Sequence, residues 1–88
     1  MKIKNGFAKR AIAGSNIVVP VGSASKTFNG MITLNESGSF FWDCLTAETT
    51  LDEVVKKVTA EYDVDEATVR RDLEKFVALL RENNLIDE

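Results

Sequence analysis

The N-terminal third of the chain consists of short apolar and β-branched runs separated by turn-forming clusters, a pattern typical of β-strands. Residues 7–13 and 17–21 form the first two runs, and Gly14-Ser15-Asn16 between them predicts a hairpin turn. Pro20 has no amide donor, so we expect either that this part of the second strand faces an unpaired side or that the strand bulges and ends nearby.

The apolar pattern changes its period at Asn35. Residues 31–34 alternate as a strand does, whereas the apolar residues after Asn35 recur at helix spacing. Asn35 is predicted to cap this helix, and Glu36 places negative charge at its positive end. The predicted helical face consists of Leu34, Gly38, Phe41, Trp42 and Leu45.

The pairing of this third strand is not decided by the pattern. It can pair with residues 17–21 across a long loop, or with Thr27-Phe28 across a tight turn at Asn29-Gly30. In both cases residues 31–34 are extended.

Gly38 is an unusual residue for a helix interior, where glycine costs roughly 1 kcal/mol relative to alanine. We therefore predict that a neighbouring group approaches it too closely for a side chain. Phe41 and Trp42 are predicted to anchor the core, and Cys44 to lie at the margin of the core.

Two further helices follow. Thr50 and Glu53 have the spacing of a capping box, and Asp65 is predicted to cap the third and longest helix, with Val64 stapling onto Val69. Asn83-Asn84 predicts the end of that helix, and Leu85-Ile86 is predicted to fold back as an apolar tail. The expected buried faces contain Leu51, Val54, Val55, Val58 and Tyr62 in the second helix and Val69, Leu73, Phe76, Val77 and Leu80 in the third.

Size and composition limit the possible functions. The 88 residues, with 44% apolar and 28% charged residues, predict one soluble globular domain over residues 1–88. The longest apolar runs are too short to span a bilayer, and the start does not resemble a secretory signal, so we expect a cytoplasmic protein. With no histidine and one cysteine, we expect no disulfide, metal, cofactor or catalytic site.

Three stretches carry a resemblance to a known family. Residues 28–42 (FNGMITLNESGSFFW), residues 61–65 (EYDVD) and residues 79–86 (LLRENNLI) resemble the PqqD-like proteins. The resemblance implies an α+β fold of the winged helix-turn-helix type, with an N-terminal antiparallel three-stranded β-sheet followed by three α-helices. It also implies a non-catalytic protein that recognises ribosomally made, modified peptides.

The resemblance further implies where a peptide binds. The leader segment of a precursor peptide is expected to add as a strand in a groove between the third strand and the third helix, and to be presented to a modifying enzyme, often a radical S-adenosylmethionine enzyme. Helix angles leave open whether the peptide meets the margin that carries Asp72 or the one that carries Glu74. The expected peptide-binding residues are Phe28, Asn29, Met31, Ile32, Thr33, Leu34, Asp72, Lys75, Leu79 and Asn83.

Two other classes of protein are compatible with parts of the sequence. A winged helix that binds DNA would place the third helix in the major groove, but that helix mixes acidic and basic residues and the chain carries a net charge of −3. A small acidic carrier protein would be helical throughout, and Ser37 and Ser39 lack the Asp-Ser-Leu context of a phosphopantetheine site. We therefore expect no nucleic acid and no membrane among the partners.

Overall fold

A computed structural model describes residues 1–22 and 32–87 of the chain. A three-stranded antiparallel sheet is followed by three helices, which confirms the predicted α+β class. In chain order the elements are β1 (Lys2–Ile3), β2 (Phe7–Ile12), β3 (Ser15–Pro20), β4 (Ile32–Leu34), α1 (Glu36–Leu45), α2 (Leu51–Glu61), α3 (Glu66–Glu82) and β5 (Ile86–Asp87).

The hairpin between β2 and β3 turns one residue earlier than its sequence predicts. Ile12 pairs with Ser15, so Ala13 and Gly14 alone form the turn, with φ angles of 52° and 82°. Two successive positive φ angles are those of a type I′ turn, whose twist matches that of the flanking strands. Ala13 is therefore a turn residue rather than a strand residue. β3 ends at Pro20, as predicted.

The third strand of the sheet pairs with the second, which settles one question that the pattern left open. The sheet order is β2-β3-β4, and Ile17 of β3 lies opposite Thr33 of β4. The other possible partner, Thr27-Phe28, lies outside the described residues. β4 is consequently an edge strand within the part of the chain that the structure describes.

α1 begins as the sequence predicts. The Asn35 side chain accepts a hydrogen bond from the Gly38 amide at 2.7 Å, which satisfies one of the unpaired donors at the helix start. Gly38, Phe41, Trp42 and Leu45 form its buried face, and Trp42 is only 3% exposed. The predicted core anchors are confirmed.

α2 and α3 also begin at the predicted caps. The Thr50 hydroxyl accepts from the Glu53 amide at 3.2 Å, while the Glu53 carboxylate accepts from the Thr49 hydroxyl at 3.3 Å. The Asp65 carboxylate accepts from the Thr68 amide at 3.1 Å. The prediction that Tyr62 is buried is wrong, because α2 ends at Glu61 and the extended backbone that follows leaves Tyr62 41% exposed.

The end of α3 connects the C-terminal tail to the rest of the molecule. The Leu85 amide donates to the Leu80 carbonyl at 2.8 Å and the Asn84 amide to the Arg81 carbonyl at 3.1 Å, a Schellman motif with Asn84 at φ 63°. Leu85 is fully buried, as the predicted apolar tail requires. The strand pair of β1 with β5, which brings Ile3 opposite Ile86, was not predicted.

One apolar core joins these elements. The sheet and β1 cover one side, α1 lies centrally, and α2 and α3 pack against each other and against α1. The buried core residues are Ile3, Val18, Leu34, Phe41, Trp42, Leu45, Val54, Val55, Val58, Val69, Leu73, Val77, Leu80, Leu85 and Ile86.

Candidate functional site

The outer edge of β4 is the first component of the candidate site. β4 pairs with β3 on one side, and no other described strand pairs with its second side. Its side chains alternate, since Leu34 is buried, Ile32 is half-buried against the core and Thr33 is exposed. Backbone donors and acceptors at an unpaired edge are available to another extended chain.

Gly38 marks the place where β4, α1 and α3 meet. A β-carbon built on Gly38 would lie 3.0 Å from Oδ1 of Asn35, 3.5 Å from Cε1 of Phe76 and 3.7 Å from Cδ2 of Leu34. The predicted close approach is confirmed, and its sources are the helix cap and two apolar side chains. Leu34 of β4 and Phe76 of α3 thus form an apolar floor between the strand and the helix.

The position of Phe76 shows which margin of α3 lies beside β4. At 3.6 residues per turn, Asp72, Leu79 and Asn83 lie within about 60° of Phe76 around the helix, on the side away from the core face. The opposite margin faces α2, because Arg70 forms an ion pair with Asp52 at 2.9 Å. The margin that carries Asp72 and Leu79 is therefore the one next to the strand.

The residues of this margin differ in what they offer to a ligand. Asp72 and Lys75 are exposed, and Leu79 is an apolar side chain that is 39% exposed. The Asn83 side chain is exposed but donates to the Leu79 carbonyl at 2.9 Å, so it also caps the helix end. Of the remaining predicted site residues, Phe28, Asn29 and Met31 lie outside the described part of the chain.

A pocket of about 420 Å³ lies at the end of this groove, where the start of α1, the end of α2 and the start of α3 converge. Asn35, which directly follows β4, and Asp72 of α3 both line it. Apolar side chains form most of its wall, namely Phe40, Phe41, Val58, Tyr62, Val64 and Val69.

Sequence reasoning missed this pocket. Tyr62 was expected in the core, but its ring instead meets that of Phe40 edge-on at 5.4 Å between centroids. Val64 was expected to staple onto Val69; both side chains line the pocket, and Val64 is 46% exposed. The available signal was the early end of α2, where Asp63 interrupts the helix pattern and releases both residues from the core face.

Across residues 1–22 and 32–87, no three His, Cys, Asp or Glu side chains are grouped as metal ligands. Burial raises the pKa of the Cys44 thiol, the neighbouring Asp43 adds to this, and Lys57 opposes it. Cys44 is half-buried against the core, as predicted.

No helix within the described ranges is long and apolar enough to cross a membrane.

The chain belongs to the PqqD family. The family model described as Coenzyme PQQ synthesis protein D matches residues 16–86, which include β4, all three helices and the pocket. Comparison with curated proteins finds no match.

Two solved structures share this fold over nearly their full lengths. TbiB1 in complex with the TbiA(beta) leader peptide is 28% identical, with a TM-score of 0.76, over 99% of this chain and 95% of that one. Lasso peptide synthetase B1 complexed with the leader peptide is 18% identical, with a TM-score of 0.72, over 96% of this chain and 93% of that one. At that lower identity, the second likeness establishes the fold alone.

Proposed function

We propose that this protein is a non-catalytic accessory protein that binds the leader segment of a ribosomally synthesised precursor peptide. The leader adds as a strand to the edge of β4 and is presented to a modifying enzyme, which we expect to be of the radical S-adenosylmethionine type, in the cytoplasm. The observation that carries the proposal is the edge of β4, with which no other described strand pairs, beside an apolar floor and the exposed Leu79.

In strand addition, the backbone and the side chains of the site have different roles in recognition. Backbone hydrogen bonds along the edge supply affinity for an extended peptide, and side chains at alternate positions enter the groove and supply selectivity. β4 has only three residues among those described, and Thr33 is polar, which limits pairing between copies of the empty edge.

The comparisons support this proposal from a separate direction. TbiB1, which is 28% identical to this chain over nearly its whole length, was solved in complex with a leader peptide. Membership of the PqqD family extends the likeness to the residues of the groove.

The proposed peptide-binding residues divide into three groups. Ile32, Thr33 and Leu34 supply the strand edge, and Phe76 joins Leu34 in the floor. Asp72, Lys75, Leu79 and Asn83 form the helical wall. Phe28, Asn29 and Met31 extend the edge on the strength of the family resemblance.

The absence of histidine from the sequence supports a role without turnover, because the commonest general base is missing. Asp and Glu are the remaining candidates for acid–base catalysis. We expect the purified protein to leave small molecules unchanged. Catalysis that disappears on changing one Asp or Glu would contradict this.

Leu79→Asp tests the groove directly. A partly exposed helix position tolerates a carboxylate in the free protein, but the carboxylate resists burial under an apolar peptide side chain. With synthetic peptides made from the short reading frames next to the gene of this protein as probes, we expect the peptide that binds the wild type to bind the variant at least about tenfold more weakly, a loss of about 1.4 kcal/mol. Isothermal titration calorimetry measures this affinity.

Glu74→Ala is the control, because Glu74 lies on the other side of α3 and is exposed. The Glu74→Ala variant should bind the leader peptide with the affinity of the wild type. Circular dichroism should show that both variants fold. On titration, the amide signals of residues 32–34 should shift. Unchanged affinity of the Leu79 variant together with unshifted amides in β4 would overturn the groove proposal.

A further inference from the structure

The exposed apolar side chains are concentrated near the groove. Five large apolar residues are exposed in the described part of the chain, and Leu79, Tyr62 and Val64 are three of them. Leu79 borders the groove, whereas Tyr62 and Val64 line the pocket at its end. Exposed apolar side chains that gather in one pocket of a soluble protein indicate a site of interaction.

The groove leads directly into the pocket. Leu34 and Phe76 meet at Gly38, and one residue further along the chain Asn35 shares the pocket wall with Asp72. β4 and α3 therefore run in opposite directions along the groove. An extended peptide that follows β4 past Leu34 therefore continues toward Asn35 and Asp72, which line the pocket.

The mouth of the pocket is acidic. Glu36 and Asp72 line it, and no lysine or arginine of the described residues does. Among the described residues, neither carboxylate takes part in an ion pair. The ion pairs found there join Met1 to Glu48, Lys9 to Asp43 and Arg70 to Asp52. A cation placed here would meet two carboxylates that have no competing partner.

Resting on the proposed function, we propose that this pocket is a selectivity site for the leader. It receives one large apolar side chain of the leader, and a Lys or Arg next to that residue faces Glu36 and Asp72. The sheet is antiparallel throughout, and antiparallel pairing is the more stable arrangement, so the anchor precedes the strand-forming segment in the leader.

The geometry of α3 also sets the spacing. Asp72 and Leu79 are seven residues apart, or about 10 Å along the helix, which an extended chain covers in about three residues. The anchor is therefore expected about three positions before the leader residue that contacts Leu79.

The test uses fluorescein-labelled synthetic peptides made from the short reading frames next to the gene of this protein, with Kd measured by fluorescence anisotropy for the peptide that binds the wild type. Val64→Asp should raise the Kd at least about tenfold, because it places a carboxylate against the buried apolar anchor. Ile12→Asp is the matched control, since Ile12 is similarly exposed and lines neither the groove nor the pocket. It should leave the Kd unchanged.

The double variant Glu36→Gln with Asp72→Asn tests the cation. It should raise the Kd about threefold at low salt and weaken the salt dependence, since exposed ion pairs are individually modest and screened. Glu74→Gln should alter neither quantity. Thermal unfolding by circular dichroism checks that every variant folds.

The outcomes separate the two proposals. A leader that binds and shifts the β4 amides, with a Kd unchanged by Val64→Asp, overturns the pocket proposal and leaves strand addition intact. Failure of the leader to bind the wild-type protein overturns both the strand-addition proposal and the pocket proposal. If Val64→Asp weakens binding but the double variant keeps the wild-type Kd and salt dependence, the proposed contact between a leader cation and the two carboxylates is overturned.

Discussion

Trp42 is the largest side chain in the core and is almost completely buried. Trp42→Ala should cost about 3–5 kcal/mol, since it removes a buried aromatic group and leaves a cavity. Domains have only about 5–15 kcal/mol of total stability, so the variant should be unfolded or loosely packed. Near-ultraviolet circular dichroism and thermal unfolding measure this. A wild-type melting temperature combined with lost peptide binding would contradict the core assignment.

Cys44 connects burial to pH dependence. Burial raises the pKa of its thiol in the folded protein above the ordinary value of 9.0, so the unfolded chain loses this proton first as pH rises. The stability contributed by the neutral thiol is complete below pH 9.0 and is lost as pH rises through the folded pKa. Thiol alkylation in the folded protein should also be slower than in a free cysteine peptide at the same pH.

Cys44→Ala is the control for both measurements. In urea unfolding between neutral and alkaline pH, the variant should lose less stability than the wild type. An equal loss in the two proteins would assign the pH dependence to other groups.

At the scale of elements, the end of α3 depends on backbone conformation at one residue. Asn84 adopts φ 63°, a left-handed conformation that costs a residue with a β-carbon about 1–2 kcal/mol. Asn84→Ala should therefore unfold at lower urea concentration than Asn84→Gly. Both variants lose the hydrogen bond from Lys4 Nζ to Asn84 Oδ1, at 2.8 Å, so that bond cancels in the comparison. Equal stability of the two variants would show that the backbone conformation is not the deciding factor.

The elements that the sequence predicted correctly are those whose signal lies within a few residues of the chain. Asn35, Thr50 and Asp65 cap helices through bonds to amides three residues away, and the sequence alone identified all three. Ala13 was misplaced because its type I′ turn lacks the asparagine that usually occupies such a position. The pair β1–β5 was missed because two-residue strands have no period to detect.

The candidate site followed the same rule. The strand edge and the helical wall came from the family resemblance, which left the margin of α3 open. Phe76 was predicted as a core residue, and the structure brings it next to Leu34 at Gly38. The pocket depends on how the ends of three helices converge. Tyr62 fits the apolar period of α2, so its exposure is visible only once the helix is seen to stop at Glu61.

At the scale of the whole molecule, the charge distribution separates peptide binding from DNA binding. α3 carries acidic and basic residues around its exposed surface, and the net charge is −3, whereas DNA binding needs a basic surface. We expect no retardation of duplex DNA at micromolar protein concentration and physiological salt. A gel-shift assay measures this. Retardation that weakens steeply with added salt would contradict the expectation.

The short pair β1–β5 has a consequence for how the chain can be rewired. Lys2 and Asp87 face each other across an antiparallel pair, where opposite α-carbons are about 4.5–5.5 Å apart. A peptide of residues 1–87 can therefore be closed into a circle by a few glycine and serine residues between Asp87 and Met1, which removes the contacts of the Met1 ammonium with Glu48 and with the Thr49 carbonyl. Because a closed loop lowers the conformational entropy of the unfolded chain, circularisation stabilises the fold with no new contact and offsets the loss of those two contacts. The tight turn at Ala13-Gly14 is then the natural place to reopen it, which would yield a permuted chain with the same groove.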